Sequence, residues 1–72
     1  MNEKVTLKVG DKFCQAWKGV VNPITFEVLN IDLENNSLRV RCSKDGYSHE
    51  EDWNDLDVTE AAFEVGEYKM IK

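Results

Sequence analysis

Residues 24–42 read ITFEVLNIDLENNSLRVRC, and the apolar residues recur with a period of two. Ile24, Phe26 and Val28 alternate with Thr25 and Glu27, the pattern of a half-buried strand. Then the phase slips. Leu29, Ile31 and Leu33 become the apolar set, with Asn30 and Asp32 between them. The adjacent pair Val28-Leu29 marks the slip, and a β-bulge or sharp bend there keeps both sets on one core. Long strands that bend in this way turn the corners of small barrels. Asn35-Asn36 suits a two-residue hairpin loop, because Asn tolerates positive φ. That loop predicts the pairs Glu34–Ser37, Leu33–Leu38, Asp32–Arg39, Ile31–Val40, Asn30–Arg41 and Leu29–Cys42. Apolar residues then meet apolar ones throughout, and a slip of one residue breaks all of these pairs together.

Downstream, Asp45-Gly46 predicts a second two-residue hairpin. It sets Arg41 opposite Glu50 and Arg39 opposite Asp52 on the outer face, with Cys42 opposite His49 and Leu38 opposite Trp53 on the inner one. Glu51 then faces Val40 on the inner side, which predicts a fraying strand or a bulge that turns Glu51 outward. A three-residue loop would bury Glu50 and Asp52 instead. After Trp53 the period changes. Asp57 and Glu60 have capping-box spacing, with Asp in place of Ser or Thr. Val58, Ala61, Ala62 and Val65 fall on one helical face. The spacing predicts a helix over 58–65, with Gly66 as its C′ residue, and then a strand in EYKMI with Tyr68 and Met70 on one face. At the other end, KVTLKVGDKFCQAW reads as two strands joined at Gly10-Asp11. Val5, Leu7 and Val9 share a face, and Phe13 enters the core with Cys14 or Ala16 alternating. KGVVNP is an exposed loop, with Pro23 before the next strand.

The chain has 72 residues, which is one domain, and shows no repeat or linker. The expected fold is mainly β: a small antiparallel barrel of about five strands with one short helix near the C-terminus. In strand count and in its central meander it resembles the Src-homology-3-like barrels. The alternative is an α+β sheet with one packed helix.

Charge narrows the functional classes. Residues 1–46 hold seven Lys/Arg and six Asp/Glu, whereas residues 47–72 hold two and eight, so the net charge of −5 is the sum of +1 in the first part and −6 in the second. An acidic surface repels phosphate and anionic lipid, which argues against nucleic-acid and membrane partners. No apolar run has signal-peptide or membrane-span length, so a soluble cytoplasmic protein is expected. Cys14 and Cys42 are then reduced and packed rather than bridged.

Arg39, Arg41 and Lys44 suggest a basic stripe, but the predicted register flanks Arg39 with Asp32 and Asp52, and Arg41 with Asn30 and Glu50. Cys14, Cys42, His49 and the nearby acids offer metal-binding atoms, yet there is no CxxC, HxxxH or HExxH spacing, so neither a metal nor another cofactor is expected. No nucleophile stands beside a base in a recognisable motif and no Gly-rich phosphate loop is present, which points away from an enzyme. So small a barrel also leaves little room for a substrate cleft of roughly 300 Å³ or more. Barrels of this kind bind peptides through aromatic residues between loops. Trp17, Tyr47 and Trp53 could line such a groove; the competing reading is that each ring covers the core. In YSHEEDWNDLD, residues 47–57, the register gives Glu50 and Asp52 to the arginines, Trp53 to the core and Asp57 to the helix start. His49, Glu51 and Asp55 are left without assigned partners. The candidate partner-binding residues are therefore Trp17, Tyr47, His49, Glu51, Trp53 and Asp55.

The final segment, WNDLDVTEAAFEVGEYKMI, resembles a pattern in small uncharacterised single-domain proteins of bacteria and phages. The matching positions are Trp53, Leu56, Phe63, Gly66, Tyr68 and Met70 or Ile71. The resemblance implies packing rather than an activity: Trp53 and Phe63 clamp the helix, and Gly66 ends it. The expected function is a non-enzymatic acidic module that binds another protein. A phage or mobile-element accessory role would fit, one version being a mimic that occupies a host protein's nucleic-acid site. The alternative is a nucleic-acid-binding small barrel.

Overall fold

Residues 6–71 are described in the computed structural model, and there the phase slip at Val28-Leu29 is a β-bulge. Strand β2 (Thr25–Asp32) runs antiparallel to β3 (Ser37–Lys44). Val28 faces Val40 and Asn30 faces Arg39, which leaves Leu29 as the extra residue. Beyond the bulge the register differs from the predicted one by two residues. Ile31 pairs with Leu38 rather than Val40, and Asp32 with Ser37. The connection is a four-residue loop, Leu33 to Asn36, instead of the two-residue one. Asp32 causes the difference. Its carboxylate accepts from the Asn35 backbone N–H (3.2 Å) and from Asn35 Nδ2 (2.7 Å), an Asx-type closure of the turn. Asn36 then takes the left-handed φ of 51°. A shift of two keeps every side chain on its own face, so apolar alternation cannot separate the two registers. Leu33 is the residue that changes place, and it is 82 % exposed.

The second hairpin has the predicted register. Strand β4 (Tyr47–Trp53) sets His49 opposite Cys42, Glu50 opposite Arg41, Asp52 opposite Arg39 and Trp53 opposite Leu38. Asp45 and Gly46 both have positive φ, 53° and 84°, as a type I′ turn requires. The predicted bulge or fraying at Glu51 does not occur. Glu51 stays paired opposite Val40 and is exposed on this edge strand.

Strand β1 (Lys12–Gln15) pairs with β2 on one side and with β5 (Tyr68–Met70) on the other, giving the antiparallel order β4-β3-β2-β1-β5. The strand predicted before Gly10 is not formed within the described residues, and Val5 lies outside them. The Leu7 backbone N–H donates to Glu60 Oε2 on the helix (2.9 Å), and Lys8 and Asp11 close a turn on each other. The segment therefore crosses to the helix instead of extending the sheet. Leu7 is buried there and Val9 is exposed.

Helix α1 spans Leu56–Glu64, with Asp55 as its N-cap. It starts earlier than the predicted 58–65, and the Asp57–Glu60 capping box is not made. Asp57 Oδ1 instead accepts from the Val58 N–H and from Asn36 Nδ2 (both 2.8 Å), while Glu60 is turned towards Leu7. Asn36 anchors the helix start: its Oδ1 accepts from the Asp57 N–H and its carbonyl from the Leu56 N–H. The buried face is Leu56, Thr59 and Ala62, with Phe63 half-buried beside it. Val58, Ala61 and Val65 of the predicted face are exposed. Both faces have helical spacing, but Leu56 and Phe63 remove more apolar area from water than Val58 and Ala61 would. Gly66, at φ 81°, ends the helix as predicted. Its N–H reaches Phe63 O and the Glu67 N–H reaches Ala62 O, the Schellman pattern.

The sheet is open, with β4 and β5 as its two edges. Four strand spacings would separate these edges by about 19 Å in a flat sheet. Yet the rings of Trp53 and Tyr68 stack with centroids 6.5 Å apart, so the sheet is rolled. It rolls around Phe13, which is fully buried and touches Phe26, Phe63 and Tyr68 at 5.0–5.2 Å and Trp53 at 6.3 Å.

The register can be tested by urea unfolding. Leu33→Ser is expected to change stability by no more than about 0.5 kcal/mol, whereas Leu38→Ala is expected to cost about 2–5 kcal/mol. A large loss for Leu33→Ser would favour the two-residue loop.

Candidate functional site

Rolling the sheet leaves a gap where the end of β4, the start of α1 and the start of β5 converge. Trp53, Asn54, Asp55, Val58, Thr59, Ala62, Glu67 and Tyr68 line a cleft of about 400 Å³. That falls in the range of ligand clefts and exceeds what so short a chain was expected to hold. The stacked rings of Trp53 and Tyr68 form one wall. Val58, 60 % exposed, presents its methyl groups at the mouth. Thr59 is buried beneath, within hydrogen-bonding distance of Asp55 Oδ1 (3.4 Å). Asp55 and Glu67 add two acids to the lining. The hydroxyl of Tyr68 registers this setting: burial raises its pKa first, and the negative charges of Asp55 and Glu67 raise it further.

A second group of candidate side chains sits on the inner face of the β3–β4 hairpin. Cys42 is buried on β3, and His49 and Glu51 are exposed on β4. The Cys42 Sγ, an imidazole nitrogen of His49 and a carboxylate oxygen of Glu51 all lie within 4.8 Å of one another. Glu51 is the hub. One oxygen accepts from Trp53 Nε1–H (2.9 Å) and the other lies 2.7 Å from His49 Nε2. These contacts, Trp53 first, hold its carboxyl below the usual carboxylate range. Burial, and then the charge of Glu51, push the Cys42 thiol up to about 11. Cys14 lies on β1 opposite Thr25 and Lys69, outside this group.

The candidate residues named from sequence thus divide. Trp53 and Asp55 belong to the cleft; His49 and Glu51 belong to the hairpin group. Trp17 (43 % exposed) and Tyr47 (83 % exposed) join neither. Among the described residues no ring contact links Trp17 or Tyr47 to Trp53, whose aromatic neighbours are Phe13, Phe26 and Tyr68. Trp53 turns into the core, where it meets those three rings, whereas Trp17 and Tyr47 are exposed. Sequence reasoning missed Tyr68, Glu67 and Val58 as cleft residues. The spacing puts Tyr68 and Met70 on one face of the last strand, but the meeting of Tyr68 with Trp53 follows from the roll of the sheet. The two arginines of the stripe are paired: Arg39 with Glu50 (3.0 Å) and Asp52 (2.8 Å), and Arg41 with Glu27 (3.2 Å) and Glu50 (3.6 Å). Glu27 takes the flanking place predicted for Asn30, as the corrected register dictates. No described helix is long and apolar enough to cross a membrane.

No protein-family model, curated protein or solved structure matches this chain.

The electrostatics of the cleft can be read from Tyr68 in a Tyr47→Phe background, which leaves one tyrosine to titrate. Tyr68 is expected to ionise above the ordinary value of 10.0, and Glu67→Gln is expected to bring that pKa down. Because the folded pKa is raised, the neutral ring's contribution to stability is full below that ordinary value. It is lost as pH rises through the folded pKa. Tyrosinate absorbance against pH checks the shift, and the unfolding midpoint over the same range checks the sign.

Proposed function

We propose that the protein is a non-enzymatic interaction module whose cleft receives a protein segment carrying a basic residue beside an apolar one. The observation that carries this reading is the cleft itself, an aromatic wall with Val58 at its mouth between two carboxylates. An apolar side chain entering it would bury area against Trp53, Tyr68 and Val58, worth about 1.5–3 kcal/mol for one Leu- or Met-sized group. A neighbouring Lys or Arg would meet Asp55 or Glu67, and the acidic second part of the chain would steer such a segment inward. One anchor and one or two rim pairs make a weak, reversible contact rather than a permanent assembly. The same carboxylates would repel phosphate, and both strand-borne arginines are occupied, so nucleic acid fits this surface poorly.

The rolled five-stranded sheet, bent at Leu29 and carrying its helix between β4 and β5, supports a small, incompletely closed barrel of the Src-homology-3-like kind. Cys14 and Cys42 are both free, which suits a reducing, cytoplasmic setting. An accessory role on a basic host surface agrees with the charge distribution.

The test is selection of a random displayed peptide library on the purified domain. Enriched peptides are expected to pair Lys or Arg with an aliphatic or aromatic neighbour and to bind more tightly at low salt. Val58→Lys and Glu67→Lys, both at exposed positions, are each expected to weaken the best peptide at least about tenfold (1.4 kcal/mol) while circular dichroism stays unchanged. Peptides without that pattern, or affinities indifferent to both substitutions, would overturn the assignment.

A further inference from the structure

We propose that Cys42, His49 and Glu51 form a binding site for a borderline-soft divalent transition cation, with zinc as the reference ion. The three donors come from adjacent strands of one hairpin. Cys42 and His49 are directly cross-strand partners, and Glu51 lies two residues beyond His49 on the same face. The tight Asp45-Gly46 turn fixes that register, and the pairs Arg39–Asp52 and Arg41–Glu50 hold it on the opposite face. The donor atoms already converge within 4.8 Å. A tetrahedral ion with bonds of about 2.0–2.3 Å needs its donors somewhat closer. That contraction requires movement only of the exposed His49 and Glu51 side chains towards the fixed sulfur.

The hydrogen bonds show how an ion would enter. Cys42 Sγ lies within 4.8 Å of a Glu51 carboxylate oxygen, and His49 Nε2 lies against the same carboxylate, so the donors already face one shared space. When the ion binds, the S–H proton leaves to solvent, neutral imidazole coordinates through a ring nitrogen, and Glu51 coordinates as the carboxylate it already is. One thiolate and one carboxylate then balance the dication. Trp53 Nε1–H keeps its bond to Glu51 Oε1, which orients the other oxygen towards the ion as an outer-shell partner does. The thiolate selects zinc-like ions over magnesium and calcium. The exposed side of His49 and Glu51 leaves a fourth position for water. Linear motif patterns overlook this set because its spacing, 42-49-51, belongs to a β-hairpin.

The experiment is titration of the purified 72-residue chain with cobalt(II), followed by competition with zinc(II). The expected result is one ion per chain, a thiolate-to-cobalt charge-transfer band in the near ultraviolet, loss of that band to zinc, and release of about one proton per ion. His49→Ala and Glu51→Gln alter exposed side chains, and each is expected to weaken binding at least about tenfold with the fold retained. Cys42→Ala is expected to abolish the band; should it unfold, the other two variants decide. Val58→Lys and Glu67→Lys are expected to leave the cobalt affinity unchanged, which separates this site from the cleft. Binding without a thiolate band, affinity indifferent to His49→Ala and Glu51→Gln, or no binding at micromolar cobalt would each overturn the site.

Discussion

Everything in this fold depends on the enclosure of Phe13. A five-stranded sheet in so short a chain cannot bury both faces, and one helix is too small to cover the whole inner face. The sheet instead wraps its own inner face around one ring. Phe26, Phe63, Tyr68 and Trp53 close on Phe13 from four different elements. The bulge at Leu29 permits this, because it bends β2 where both halves of the strand must still point inward. Rolling brings the ends of β4 and β5 together without hydrogen-bonding them, and the cleft is the space left at that incomplete seam.

The parts legible in the sequence were those governed by local chemistry. Asp45-Gly46 fixes the second hairpin residue for residue, Val28-Leu29 locates the bulge, and Gly66 ends the helix. The parts that misled were degenerate by symmetry. The Asn35-Asn36 hairpin could shift by two residues at no cost in facing, and the side chain of Asp32 selected the longer loop. The helix had two apolar stripes, and the one containing Leu56 and Phe63 won because it packs against the aromatic cluster. Leu7 and Val9 were expected to share a strand face, but Glu60 captures the Leu7 backbone N–H and draws the segment off the sheet, leaving Leu7 buried and Val9 exposed.

The two candidate surfaces follow the same division. Cys42 and His49 were visible as partners once the second hairpin was registered, and Glu51 stood out because an acid opposite Val40 needs an explanation. Its carboxylate accepts from Trp53 and lies 2.7 Å from His49 Nε2, with Cys42 Sγ close beside it. The cleft was visible only in Trp53 and Asp55, since the meeting of Trp53 with Tyr68 is a property of the rolled sheet. Trp53 joins the two surfaces physically: its ring walls the cleft, and its indole N–H holds Glu51. Anything that fixes Glu51 therefore also fixes the wall against which a bound segment would rest.

The most direct test of this account is a nuclear Overhauser measurement between the rings of Trp53 and Tyr68, the contact that exists only if the sheet is rolled. The stacked geometry, with centroids 6.5 Å apart, predicts cross-peaks between their ring protons, accompanied by cross-peaks from both rings to Phe13. An absence of Trp53–Tyr68 cross-peaks, with the β3–β4 and β1–β5 pairings intact, would mean a flatter sheet. The core arrangement and the cleft described here would then both be wrong.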